Sequence, residues 1–274
     1  MSEEGRSGEK ILKQKPLWIE VQWISPLISI IVWASIAGWA LSIAPNSRYL
    51  DTYNPKISEA TSHPFHHDTI SYGLLLGLAA AVGVIVPFVV ECFVERHPMS
   101  KRQFYITLVN LWLGCLEAVL LTIATTEAIK FNVGFLRPNF ASVCQPRLVN
   151  GSTYECTTNP SEYHKSMVSF PSGHASTGTA VGWYTSLYLL WNLYHRHEGI
   201  PSQARAICQQ ALFLPALAPF LLALAVSVSR VTDFKHHTID ITMGTVLGLV
   251  FASVVFVRAV KTLPGRVVVA TEDD

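Results

Sequence analysis

The sequence predicts an all-α, polytopic membrane protein with six transmembrane helices and its reactive residues at the non-cytosolic face. Three observations carry that reading. Half of the 274 residues are hydrophobic and only 14% are charged, against roughly 25% in soluble domains. The apolar residues gather into six runs, each near the ~20 residues a helix needs to cross hydrocarbon. Lys and Arg are unevenly shared between the breaks, with twelve of the 20 on one side, which the positive-inside rule makes the cytosolic one. A large water-soluble core would not divide into six runs separated by charged or Pro-rich breaks.

The elements follow in order. Residues 1–22 are charged and read as a cytosolic tail, because the apolar run behind them is long enough to stay in the membrane rather than serve as a signal peptide. That first run is 23–44. The second, 73–94, follows a polar stretch holding His63, His66, His67 and Asp68. His63 and His67 are four apart, but Pro64 pushes His63 out of the helical region, so a polar luminal loop is preferred to a metal site or pH sensor. The 95–103 break carries Arg96, Lys101 and Arg102. The third run, 104–126, contains Glu117. A carboxylate there is costly, so it is expected to make a structural hydrogen bond or to be protonated. It lies thirteen residues before Lys130, about 20 Å at helical rise.

The long break at 127–171 holds Cys144, Cys156 and the glycosylation acceptor Asn150-Gly151-Ser152, which is usable only on a non-cytosolic face. Two cysteines in such a loop are expected to form a disulfide. Runs four to six are 176–194, 209–229 and 239–260, separated by a break with Arg196 and Arg205. Residues 23–260 thus form one membrane domain, and 261–274 a cytosolic tail with Lys261 and Arg266; Arg258 is counted with it. Gly73 and Gly77, Gly178 and Gly182, and Gly244 and Gly248 form pairs four apart, read as sites of close helix packing within one bundle.

Three separated pieces carry the chemistry: Lys130 with Arg137-Pro138, Pro171-Ser172-Gly173-His174, and Ser229-Arg230 with His236 and Asp240. With six spans all three fall on the same, non-cytosolic face. Lys130, Arg137 and Arg230 supply three cations for a phosphate, and the arginines can each bond two oxygens at once. Ser172 and Gly173 precede a span, where a hydroxyl and backbone N–H groups face an anion. His236 and Asp240 are four apart, on one face of a helical turn. Asp240 can hold one ring nitrogen and leave the other to attack phosphorus, while His174 protonates the departing alkoxide. His237, three residues from Asp240, is a rival nucleophile, and Asp233 a rival orienter. In a membrane protein this set points to hydrolysis of a lipid phosphate ester.

A net charge of +1 gives no reason to expect nucleic-acid binding. No Cys-His spacing suits zinc and no carboxylate cage suits magnesium, so neither a metal nor another cofactor is expected. The expected partners are the lipid phosphate and the bilayer, in an endomembrane (endoplasmic reticulum, Golgi or vacuole) or the plasma membrane.

The three pieces resemble the three-part signature of the type 2 phosphatidic acid phosphatase superfamily, most closely its lipid phosphate phosphatase branch. The resemblance rests on Lys130-Phe-Asn-Val-Gly-Phe-Leu-Arg137-Pro138-Asn-Phe followed by Cys144, and on Ser229-Arg-Val-Thr-Asp-Phe-Lys-His236-His237. It implies a magnesium-independent phosphatase of phosphatidate and related lipid phosphates, with His236 as nucleophile, Asp240 as its orienter and His174 as acid. Phe135 stands where an extra arginine is common, and Thr238 and Ile239 where an aromatic and a small polar residue are common. A headgroup transferase of the same superfamily, or a non-catalytic lipid-phosphate binder, would share much of this pattern.

Overall fold

The computed structural model describes residues 20–43, 54, 58–94, 101–149, 153–196, 202–261 and 263. Most of both tails, Arg96 and the Asn150-Gly151-Ser152 acceptor lie outside the described residues.

Each apolar run forms a helix. These are α1 (Ile24–Ser42), α2 (Tyr72–Val94), α3 (Lys101–Val133), α6 (Gly173–Trp191), α7 (Ser202–Thr232) and α8 (Thr238–Val260). The short α4 (Phe140–Cys144), a hairpin of β1 (Pro146–Val149) and β2 (Thr153–Cys156), and α5 (Pro160–Ser166) form a cap between α3 and α6. Among the described residues four helices are long and apolar enough to cross a membrane: α2, α3, α7 and α8. The apolar stretch of α1 is shorter, Ile24–Trp39. Helix α6 is not among the four because Ser176, Thr177, Thr179, Thr185 and Ser186 dilute its apolar character. Those five side chains are buried, since α6 is the central helix and packs against α2, α3, α7 and α8.

Helix α3 runs a full two turns beyond the expected end at residue 126. Nothing in Glu127–Val133 breaks a helix, and Gly134 ends it with φ 61° while its N–H bonds the Lys130 carbonyl at 3.1 Å. A left-handed residue past the last turn is a glycine position. Lys130 therefore sits on a rigid helix rather than in a loop.

The glycine pairs divide. A Cβ on Gly244 would come within 2.6 Å of the Ser172 carbonyl, one on Gly248 within 2.7 Å of the Ser176 carbonyl, and one on Gly182 within 2.5 Å of the Pro219 carbonyl. These are close backbone contacts around α6. Gly178 faces only ordinary contacts, and Gly73 and Gly77 face nothing within 4 Å. The α2 pair is thus not a packing site among the described residues, because it lies on an outward face.

Glu117 forms an ion pair with Arg258, whose Nη1 is 2.9 Å from Oε1, and accepts from the Ser25 hydroxyl. This joins α1, α3 and α8 and gives the buried carboxylate a charged and a hydroxyl partner. Arg258 lies inside α8, so its charge serves the bundle and not the tail. Arg196 likewise makes two hydrogen bonds to the fully buried Glu91, at 2.6 and 2.7 Å, although the sequence placed it in a cytosolic loop.

The Cys144–Cys156 disulfide forms as expected, and Cys144 packs with Leu136, Phe140 and Met167 beneath the cap. Replacing both cysteines by serine should cost about 2–3 kcal/mol on chain-entropy grounds. The check is thermal unfolding in detergent, where an unchanged Tm would show that the cross-link contributes nothing.

Candidate active site

The three sequence pieces meet at one end of the bundle. Ser172 caps α6, and its N–H bonds the Asp240 carbonyl at 3.0 Å, which ties the second piece to the third. A Cβ on Gly173 would sit 3.4 Å from the Lys130 ammonium, so the missing side chain makes room for the first. The Arg137 N–H bonds the Ser166 carbonyl at 2.8 Å, fixing Arg137 against α5.

His236 lies between α7 and α8 and is 4% exposed. Its Nδ1 is 3.5 Å from Asp240 Oδ2, too long for a good hydrogen bond. The same Oδ2 accepts from the Ser169 hydroxyl at 2.6 Å and the His237 N–H at 2.8 Å, and Ser169 Oγ is itself 3.5 Å from His236 Nδ1. Asp240 is fully buried, and its Oδ1 has no hydrogen-bond partner among the described residues. With Nδ1 facing the carboxylate, Nε2 is the nitrogen left for chemistry. Burial pushes the His236 imidazole well below its usual range; the Asp240 carboxylate beside it opposes this, while Arg137 and Lys130 add to it. The ring is therefore neutral, with a lone pair available.

The two sequence alternatives have other contacts. His237 Nε2 donates to the Leu136 carbonyl at 3.1 Å, and its backbone N–H donates to Asp240 Oδ2 at 2.8 Å, so its ring is engaged away from Asp240. Asp233 accepts from the N–H and hydroxyl of Thr69 at 2.8 and 2.7 Å and lies 3.2 Å from Arg230. It does not orient His236.

Arg137 is partly exposed and lines an open cavity together with Asn139, Lys165 and Lys235. Its guanidinium makes no hydrogen bond among the described residues, and its Nε is buried without a partner there. Desolvation by its surroundings lowers its pKa to about 10, with Arg230 pushing the same way, so it remains charged at neutral pH. A cationic group with a nitrogen shut off from water and unpaired is costly, and an anionic ligand would relieve that cost.

Arg230 is 2% exposed and is held by a strap, residues 62–71, that sequence reasoning left as a polar loop. Its Nη1 donates to the Ile70 carbonyl at 2.9 Å and its Nη2 to Asp68 at 2.6 Å. The His174 Nε2 donates to the same Ile70 carbonyl at 3.0 Å, and Tyr72 meets the His174 ring edge-on at 5.3 Å. The strap is pinned elsewhere too. The His63 N–H bonds the Pro138 carbonyl at 3.0 Å, His63 stacks on Phe234 at 4.6 Å, and Lys235 lies 3.9 Å over Phe65. His63 stacked on Phe234 and His66 set edge-on against it give these two histidines a packing role.

Burial disfavours the Asp68 charge, but Arg230 and Lys235 outweigh it and hold the carboxyl below its ordinary range. Lys130 is paired with Glu127 at 2.6 Å. Sequence reasoning missed Ser169, Asp68, Lys235, Glu127 and the Ile70 carbonyl. Glu127, one helical turn before Lys130, was the one with a spacing signal. The arrangement can hold a tetrahedral anion between Arg137, Arg230, Lys130 and the α6 N-terminus, with His236 and His174 both at its edge.

The PAP2 superfamily model matches residues 111–263. A protein of Drosophila melanogaster named putative phosphatidate phosphatase is 28% identical over 72% of this chain and 58% of its own length. Phospholipid phosphatase 2 of Homo sapiens is 30% identical over 71% of this chain and 68% of its own. Phospholipid phosphatase 1 of Mus musculus is 29% identical over 72% and 71%. The chain thus covers less than two thirds of the Drosophila protein and somewhat more of the mammalian ones. No solved structure matches it. With the family match spanning more than half of its residues and taking in all of α6, α7 and α8, the chain belongs to the PAP2 superfamily.

Proposed function

We propose that this protein is a lipid phosphate phosphatase that hydrolyses phosphate monoesters such as phosphatidic acid, giving diacylglycerol and phosphate, without magnesium and through a phosphohistidine. The observation that carries this reading is the pairing of Arg137, whose guanidinium has no hydrogen-bond partner among the described residues and whose Nε is buried, with a neutral His236 whose Nδ1 faces Asp240. The relatives' names support the substrate class.

In the proposed reaction Lys130, Arg137, Arg230 and the N–H groups after Ser172 neutralise the phosphoryl oxygens. His236 Nε2 forms a bond to phosphorus as the bond from phosphorus to the diacylglycerol oxygen breaks. In the empty protein burial and Arg230 lower the His174 pKa to about 4; the bound phosphate dianion favours its imidazolium, which gives its Nε2 proton to that oxygen and is left neutral. Water then attacks the phosphohistidine while His174 takes a proton back, freeing phosphate. The catalysis asked of the cations is electrostatic stabilisation of charge on the equatorial oxygens.

The proposal places six spans in the bilayer, both termini in the cytosol and the site on the luminal or extracellular face. The Lys and Arg asymmetry supports it. Protease added to sealed vesicles with the cytosolic face outward should remove tags from both ends, and protected tags would refute that orientation.

The activity is tested with purified protein in detergent micelles containing phosphatidic acid and excess EDTA. Free phosphate and diacylglycerol should appear in equal amounts. Transfer of the phosphoryl group to another lipid, or a demand for magnesium, would overturn the reading.

A further inference from the structure

Asp240 Oδ2 is approached by more donors than it can serve. The Ser169 hydroxyl reaches it at 2.6 Å and the His237 N–H at 2.8 Å. His236 Nδ1 stands off at 3.5 Å. A carboxylate oxygen offers about two lone-pair sites, and the two short bonds fill them. Asp240 Oδ1 does not take the imidazole instead, since it makes no hydrogen bond among the described residues. His236 Nδ1 lies equally close, 3.5 Å, to Ser169 Oγ. That hydroxyl has committed its one proton to Asp240, and its oxygen keeps lone pairs free to accept. Beside the ring, Ser169 is the acceptor with capacity to spare.

The backbone fixes this serine in place. Ser169 is fully buried. Its N–H bonds the Phe135 carbonyl at 2.8 Å, within the segment that carries Lys130 and Arg137. Three residues on, the Ser172 N–H bonds the Asp240 carbonyl at 3.0 Å. The segment 169–172 is thus anchored to the first sequence piece at one end and to the third at the other.

We propose that Ser169 is a positioning residue for the reaction. It accepts a hydrogen bond from His236 Nδ1–H and donates its own to Asp240, so a serine and a carboxylate in series fix the attacking tautomer. The inference rests on the phosphatase reading, in which His236 is the nucleophile. No proton changes hands along this chain: Nδ1 and Oγ each keep theirs. When Nε2 bonds phosphorus the ring becomes cationic, and Arg137 and Lys130 both oppose positive charge there. The serine links the ring to the one buried carboxylate that offsets them. Both contacts of Nδ1 are long in the empty protein, and catalytic hydrogen bonds of this kind tighten once substrate is bound.

Ser169→Ala removes the link and leaves the phosphate ligands untouched. Formation of the phosphoenzyme, followed by rapid quench, should slow by about 10–100-fold, the scale of one hydrogen bond to a charged group. KM and the inhibition constant of inorganic phosphate should move by less than about twofold, because ground-state binding is not what is lost. Ser169→Thr keeps the hydroxyl and should recover most of the rate. A normal rate in Ser169→Ala overturns the proposal, as does an equal loss in Ser169→Thr. Weakened phosphate inhibition in step with the rate also overturns it, since that is the mark of a disrupted site.

A second arm needs no turnover. In protein carrying ¹⁵N-labelled histidine, with the His236 signals identified by their loss in His236→Ala, NMR reads the tautomer directly. The wild-type ring should carry its proton on Nδ1, and in Ser169→Ala a form protonated on Nε2 should appear. A wild-type ring protonated on Nε2, or a tautomer unchanged in Ser169→Ala, overturns the proposal. A wild-type protein that hydrolyses no phosphatidic acid fails the phosphatase reading instead, and the tautomer still decides whether Ser169 positions the ring.

Discussion

His236→Ala should reduce turnover by on the order of 10⁴-fold or more, the scale seen when a nucleophile is removed from a site that acts as a unit. The phosphoenzyme should vanish with it. Rapid quench with radiolabelled phosphatidic acid, followed by acid and base treatment, reads both, since phosphohistidine is acid-labile and fairly base-stable. In the wild type the label should sit on His236, and label on any other residue would overturn the mechanism. The protonation state adds a second reading. Burial holds this imidazole below its usual range, aided by Arg137 and Lys130 and opposed by Asp240. Its neutral form therefore persists as pH falls through ~6.5, the ordinary histidine value. Protonation of His236 should then set no acid limb of kcat/KM near that pH, but only one further into acid.

Arg137→Lys should lower kcat/KM by about 10²–10³-fold although it conserves charge, on the scale of losing one donor that stabilises developing charge. Arg137 is held by its backbone bond to Ser166 and presents a guanidinium with no hydrogen-bond partner among the described residues. A planar fork can bond two phosphoryl oxygens at once, which an ammonium cannot. Lysine also loses its charge more readily when buried. Steady-state kinetics on a soluble short-chain phosphatidic acid make the comparison, and near-normal kcat and KM would remove Arg137 from the set of phosphate ligands.

The elements of this fold were legible where physics leaves a local trace. Six apolar runs became six helices because their length and composition demand burial or lipid. The sequence could not separate the central helix from the outer ones, since α6 buries hydroxyls that lower its hydropathy. It ended α3 too early because apolar content stops before helical order does, and Gly134 was the true boundary. At the candidate site, residues with reactive side chains were visible by type and spacing. Ser169 was not, because an ordinary serine gains meaning only from lying 2.6 Å from Asp240. The Ile70 carbonyl has no side-chain signature at all. Asp233 and His237 sat at plausible spacings, and only their contacts with Thr69 and Leu136 show where they are engaged.

That Ile70 carbonyl has a thermodynamic consequence. It accepts at once from Arg230 and from His174, the two groups that would grip the phosphate and protonate the leaving oxygen. A backbone oxygen held by both donors is a resident understudy for the substrate. If a phosphate takes these two donors, the carbonyl loses both, and the molecules ready to bind are the fraction whose strap has let go. Observed affinity would then be the intrinsic affinity scaled by that fraction. Such a site would favour ligands that can outbid a peptide carbonyl, as a doubly charged phosphate does and a neutral ester does not.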